Sequence, residues 1–317
     1  MAQPFRLEDI LPDVAVGPLR LPRRQEGSSP QSTMVTLLAD YTLRTRAWLP
    51  SAAIVALLTE SGVTPAAART ALSRLARREV LDSSRQGRAT AYRLTGQAAF
   101  GLAYGGREVA TFAAAAEDWD GNWTLVAYSL PEEASATRRA LRSRLRWMGY
   151  MPLYDALWVA PHSPPPQEAV MLGRLSNGAV TVFRAEPIEL SGATGRDPLD
   201  AWDLAGIADH YAAFVAQWSA VLPQVHAGDL DGATAIRLRT EVMDTYRRFV
   251  VLDPRLPMDR MPPGWQRPAA HDLFVAVYDG LAEVALRHVL QVVARFDHRP
   301  QPDVHPHTVA ELAAGLP

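Results

Sequence analysis

Arg69, Thr70, Ser73, Arg74 and Arg77 recur three and four residues apart in "TPAAARTALSRLARR", so a helix here sets all five side chains on one face. Guanidinium forks and hydroxyls are the groups that hydrogen-bond base edges and phosphate oxygens. The surrounding stretch, Ser61–Leu94, holds seven arginines against two acids, Glu79 and Asp82, while the whole chain is close to neutral at −2. Most runs of charge are solvated faces that touch nothing. Here acid is depleted and the charge coincides with one geometric face, which favours double-stranded DNA as the partner.

The elements that must position this face are legible around it. Thr64 followed by Pro65 is a strong helix start, with Val63, Ala67, Ala71, Leu72 and Leu75 directed inward. Two helices precede it. "MVTLLADYTLR" has its apolar residues at helical spacing, and "LPSAAIVALLTESG" offers Ser51 as N-cap and Gly62 as a stop. "VLDSSRQGRATAYRLT" follows as two β-prone runs around Arg85-Gln86-Gly87-Arg88, a hairpin whose reversal Gly87 permits. Three helices and a basic-tipped hairpin are the order of a winged helix-turn-helix, over residues 32–96. Arg69, Thr70, Ser73 and Arg74 are then placed for the major groove. Arg77, Arg85 and Arg88 are placed for phosphates or the minor groove.

Beyond this head, a length of 317 residues and a hydrophobic content of 48% allow two or three compact units. Residues 1–31, rich in Pro with Gly27-Ser28-Ser29, read as an extended arm, and residues 97–118 as an alanine-rich helical connector. Residues 119–191 alternate strand, helix, strand (with an earlier hairpin partner), helix and strand, which predicts a ferredoxin-like sheet. Residues 197–297 read as amphipathic helices and 298–317 as a ragged tail. The expected fold class is α+β. The chain has no cysteine, no run of membrane-spanning length and no apolar core for a signal peptide near its start, so a cytoplasmic protein is expected.

Other chemistries find less support. No Walker loop, nucleophile elbow or dinucleotide fingerprint appears, and no cofactor is expected. The histidines are scattered, with His305 and His307 in the proline-rich tail lacking a carboxylate partner at ligand spacing. Trp202, Trp218 and Trp265 could line an aryl pocket, although core packing is the commoner fate of such residues. The densest basic patch outside the head is Arg237, Arg239, Arg247 and Arg248 beside Tyr246. Arg239, Arg247 and Arg248 are candidates to hold a phosphorylated effector. Equally, they could pair with Glu241, Asp244 or Asp253 inside the helical region.

The chain resembles the PaaX-like family of bacterial repressors over roughly residues 21–293. The resemblance is carried by "ARTALSRL", "RQGRATAYRLT", "WDGNWTLV", "LRWMGYMPL…LWVAP" and "YRRFVVLDPRLPMDRMPPGW", in that order. It implies a homodimer with two winged helices, a Cas2-like middle domain, and a helical C-terminal region for effector response and subunit contact. It also implies operator DNA released by phenylacetyl-CoA or another acyl-CoA thioester. The sequence departs from the family pattern at Ala89, where a second arginine often follows "GR", and at Asp244, where a histidine is common. Where related Cas2 proteins carry a metal-binding carboxylate, at the end of the first middle-domain strand, this chain has Ser129, which argues against a nuclease. Two rival readings remain at this stage. One is the same scaffold recruited as an enzyme on an acyl-CoA or secondary metabolite with a vestigial head; the other is a dimeric scaffold without ligand.

Overall fold

The computed structural model describes residues 29–86, 89–114, 119–188, 196–297 and 303–315. The expected arm lies outside the described residues up to residue 28. The described residues fall into two compact units. One is drawn from Met1–Phe112, Phe214–Arg247 and Pro268–Pro317, the other from Ala113–Ala213 and Arg248–Arg267. The sequence pattern suggested a helical body of its own for residues 197–297, and the structure divides those helices between the two units. Most of them share a unit with the N-terminal elements.

In the first unit, helices α1 (Pro30–Thr42), α2 (Ser51–Glu60) and α3 (Pro65–Arg77) precede a hairpin of β2 (Leu81–Gln86) and β3 (Ala89–Leu94). A two-residue strand β1 (Leu49–Pro50) adds to β3, giving the order β1-β3-β2, all antiparallel. Ser51 is the first helical residue of α2 and not its cap. Pro50, in the N-cap place, has no side chain to donate or accept there. Helix α4 (Gly96–Thr111) follows, capped by the Thr95 hydroxyl.

Sequence periodicity gives α1 a single apolar face, yet the helix is buried on every side. Met34, Val35, Leu38 and Tyr41 are covered, but so are Ser32, Thr36 and Asp40. The reason is α8 (Gly232–Tyr246), which contacts α1 and supplies partners for its polar residues. Thr36 donates to Asp244 at 3.2 Å, and Arg247 pairs with the same carboxylate at 2.7 Å and reaches Ser32 at 3.3 Å. Asp40 accepts from the Tyr278 hydroxyl at 2.6 Å and lies 3.9 Å from Arg239. Tyr278 belongs to α10 (Arg267–Gly280), and α11 (Ala282–Ala294) follows after a break at Leu281, where the sequence reads as one continuous helix. Gly232 lets α8 and α11 approach closely: a Cβ there would meet His288 Cβ at 2.3 Å.

The expected tail is ordered over its described part. Thr45 donates to the Asp303 carbonyl at 2.6 Å, the His305 amide to the Tyr41 carbonyl at 3.0 Å, and Arg239 to the His307 carbonyl at 2.5 Å. It ends in α12 (Val309–Ala314), fixed by a Thr308–Glu311 capping box and packed on α4. Composition pointed to raggedness because prolines remove donors; here the carbonyls and remaining amides find partners in the first unit.

The second unit holds the β-α-β-β-α-β order expected of a ferredoxin-like sheet. Strands β4 (Trp123–Tyr128), β5 (Met151–Tyr154), β6 (Leu157–Ala160) and β7 (Val180–Ala185) pair antiparallel in the order β5-β6-β4-β7. Helices α5 (Ser135–Trp147) and α6 (Pro166–Leu175) are joined by a buried two-bond pair between Arg144 and Glu168. Helix α7 (Leu204–Ala227) carries the chain from this unit into the other, and the short α9 (Phe249–Leu252) opens the proline-rich connection to α10. Among the described residues, no helix is long and apolar enough to cross a membrane.

Asp253 organises that proline-rich connection. Its carboxylate accepts from Tyr211 at 2.8 Å, from Trp265 at 2.9 Å, and from Arg267 through two nitrogens at 3.0 and 2.6 Å. Asp253→Ala strands a buried guanidinium and two buried donors, so it should cost about 3–5 kcal/mol in urea unfolding. Asp253→Asn should cost less, and a wild-type midpoint for the alanine variant would refute this account. Asp40 yields a second expectation. Burial pushes its carboxyl up to about 6, against the pull of Arg239 and the Tyr278 hydroxyl. The folded chain then holds this proton to higher pH than the unfolded chain, whose carboxyl titrates near 3.8, so this group's contribution to stability falls as pH rises through that window. Between pH 4.5 and 7, wild type should lose on the order of 2 kcal/mol more than Asp40→Asn. Parallel pH profiles would show that the carboxyl is not shifted.

Candidate nucleic-acid interface

Helix α3 is built as the sequence suggests. The Ala67 amide donates to the Thr64 hydroxyl at 3.3 Å, Pro65 occupies the first turn, and Ala68, Ala71, Leu72 and Leu75 are buried. Ala68 takes the inward place expected for Ala67, a shift of one position along the helix. Opposite them, Arg69, Thr70, Ser73, Arg74 and Arg77 are all exposed. Among the described residues the guanidiniums of Arg69, Arg74 and Arg77 enter no hydrogen bond or ion pair. Thr70 donates its proton to the Ala66 carbonyl at 2.9 Å, which leaves its oxygen to accept. No acid lies on α3. Such a face is short of counter-charge, and an anionic lattice is what it complements.

The acids that follow α3 do not neutralise it. Glu79 closes the helix in a left-handed conformation at φ 59°, and its carbonyl accepts from Thr95 at 2.9 Å. Asp82 is held by Arg93 at 3.1 Å and Arg46 at 3.2 Å. Arg93 also lies 4.5 Å from the centre of the Trp48 ring, and Arg46 donates to the Leu94 carbonyl at 3.0 Å. Arg93, one of the seven arginines of the basic stretch, thus fixes the hairpin to the helices. Arg46, the second cation on Asp82, and Trp48, whose ring Arg93 covers, were missed in the sequence, where only their nearness to α2 could have drawn notice. Arg85 is exposed on β2, while Arg88 and Gly87 lie outside the described residues.

The arginines suggested for an effector are placed otherwise. Arg239 is fully buried; it donates to the Tyr278 and His307 carbonyls and lies 3.6 Å from the centre of the Tyr278 ring. Arg247 is buried against Asp244. Neither guanidinium is presented to a phosphate, which corrects the effector assignment for both. Their charges are spent inside the first unit because α1 brings buried carboxylate and hydroxyl groups to them. Arg248 is half-buried and falls in the second unit. Arg237 pairs with Glu241 on the surface of α8.

Trp202, Trp218 and Trp265, suggested for an aryl pocket, are packed against other rings. Trp202 lies 6.0 Å from Trp123, Trp218 6.1 Å from Phe214, and Trp265 5.5 Å from Tyr211, and all three are buried. His307 is buried with its ring pushed down to about 3, first by desolvation and then by Arg239. His288 bonds Glu60 at 2.7 Å. Each has a packing role.

Three family descriptions match the chain in succession. They are a PaaX-like protein over residues 29–98, the PaaX protein central Cas2-like domain over 116–196, and the PaaX-like protein C-terminal domain over 202–291. The chain is 30% identical over 251 residues to the transcriptional repressor PaaX of Escherichia coli (strain K12), a match covering 76% of each. Among solved structures it is similar to the uncharacterized protein Rv0674 from Mycobacterium tuberculosis, at 20% identity and a TM-score of 0.45, over 80% of this chain and 98% of that one. Family matches that run in order from residue 29 to residue 291, with a relative at that identity, make this chain a member of the PaaX-like family.

Proposed function

We propose that the chain is a DNA-binding transcriptional regulator of the repressor type, and not an enzyme. It reads an operator through a winged helix-turn-helix made of α1–α3 and the β2–β3 hairpin. The observation that carries this reading is the acid-free face of α3, with three guanidiniums exposed and uncommitted. A face kept clear of intramolecular partners is what backbone and base contacts require. The similarity to a curated transcriptional repressor points the same way.

In this reading Arg69, Thr70, Ser73 and Arg74 enter the major groove, and Arg77, Arg85 and Arg88 follow phosphates or the minor groove. The chain acts in the cytoplasm as a homodimer on a paired site, and an acyl-CoA thioester such as phenylacetyl-CoA releases it. What supports dimer and effector is the family resemblance. The residues that would hold the effector are not Arg239 and Arg247, whose side chains are buried.

Fluorescence anisotropy on duplex from the promoter region beside its own gene, against a scrambled duplex, tests the proposal. Arg74→Ala should cost roughly 1–3 kcal/mol on the operator and much less on the scrambled duplex. Arg85→Ala should weaken both alike and reduce the salt slope by about 1. Operator binding by Arg74→Ala at wild-type strength would overturn the groove assignment. In the same assay, added phenylacetyl-CoA should lower operator affinity; failure of every acyl-CoA tried to do so would remove the effector from the reading and leave the DNA contact standing.

A further inference from the structure

In the second unit a groove of about 840 Å³ opens between α5 and the β5–β6 hairpin. Arg142, Arg146 and Arg196 line it together with Tyr154 and Trp158, and Asp155 is the only acid in the lining. The three guanidiniums are positioned by groups that carry no charge. Arg142 donates to the Tyr128 hydroxyl at 2.8 Å and the Asp155 carbonyl at 3.2 Å. Arg196 donates to the Leu153 carbonyl at 2.6 Å and lies 5.9 Å from the centre of the Tyr154 ring. Arg146 is exposed, lies 5.3 Å from the centre of the Trp158 ring, and among the described residues makes no ion pair.

Neutral partners fix the geometry of a cation and leave its charge in place. Three such cations around one concavity, against a single carboxylate, repel one another until an anion enters. Arginine forks match phosphate oxygens in pairs, and more than one fork favours more than one phosphate. Tyr154, 57% exposed at the end of an edge strand, offers a flat ring beside them. The volume falls within the range of small-molecule sites.

We propose that this groove binds a ligand with at least two phosphates and a flat ring, the chemistry of a nucleoside diphosphate. The phosphates lie on Arg142, Arg146 and Arg196 and the ring on Tyr154. A free nucleotide and the nucleotide half of a larger cofactor share this chemistry. The inference does not depend on α3 contacting DNA, because its readout is direct ligand binding.

Isothermal titration of the full chain with ADP, coenzyme A, pyrophosphate and adenosine tests it. ADP, coenzyme A and pyrophosphate should bind and uncharged adenosine should not. Affinity for coenzyme A well above that for ADP would identify the larger cofactor as the source, and equal affinities the free nucleotide. Arg146→Ala should weaken ADP roughly tenfold or more. Tyr154→Ala should weaken ADP but leave pyrophosphate unchanged, and Arg174→Ala, on an exposed part of α6, should alter neither. Both groove residues are exposed, so their loss leaves the core intact, and matching thermal unfolding checks this. No heat from any phosphorylated probe at millimolar concentration, or ADP binding by Arg146→Ala equal to wild type, would overturn the proposal. So would loss of duplex DNA binding in Arg146→Ala without any nucleotide binding, which would assign the groove to a DNA backbone instead.

Discussion

Asp40 sits on a helix that water reaches on no side, and the build of the first unit follows from what keeps a carboxyl there. A buried acid without partners is expensive, and so is a buried guanidinium. Asp40 and Arg239 offset that cost in part, with the Tyr278 hydroxyl bonding the acid and two carbonyls bonding the guanidinium, while Asp40 Oδ2 and Arg239 Nε face each other at 3.9 Å without a hydrogen bond among the described residues. One turn earlier on α1, Thr36 and Ser32 repeat the arrangement with Asp244 and Arg247. Helix α1 therefore keeps its place only when α8, α10 and the segment around His307 are docked. The N-terminal helices and the C-terminal ones form a single cooperative body whose members lie at opposite ends of the sequence.

This arrangement bears on how the basic face of α3 is held. Helices α1 and α2 both contact α3 and α8, so the arginine face and the charged cluster share two helices. A ligand that favours one setting of α8 over another would act on α3 through these two helices, to the extent of its differential affinity for the two settings. Buried charge pairs suit such a role, since they tolerate few alternative geometries and so resist gradual deformation. Asp244 falls inside this cluster, where it pairs with Arg247 and accepts from Thr36.

The parts of the fold legible in the sequence were those set by local rules. Thr64-Pro65, the inward alanines and leucines of α3, the alternation of β4 and the hairpin around Gly87 all announce themselves within a few residues. The β-α-β-β-α-β order followed from the same signals taken in series. What escaped was long-range pairing of unlike residues. Arg239 and Arg247 looked like a surface patch because charge is ordinarily exposed, and nothing near them in the chain names Asp40, Thr36 or Ser32. Asp253 was considered only as a partner for those arginines, whereas Tyr211, Trp265 and Arg267 claim it. The tail misled for a different reason. Its order comes from backbone groups bonding to Tyr41, Thr45 and Arg239, and composition says nothing about where a carbonyl finds a donor. Of the candidate interface, the α3 face was visible as a pattern. The Arg46–Asp82–Arg93 clamp that steadies the hairpin was not, because it joins three separate elements.

The strap of residues 303–314 across the first unit also dictates when that unit can be finished. About 190 residues separate Phe112 from Asp303, and the carbonyl of His307 that receives Arg239 is made later still. At ~5–20 residues per second, the ribosome needs roughly 10–40 s to deliver them. During that interval α1 can already pack on α2, α3 and β3, while Arg239 and Tyr278, the partners of its acid, emerge only after the main segment of the second unit. The support behind the arginine face is completed only when residues 303–314 have been made.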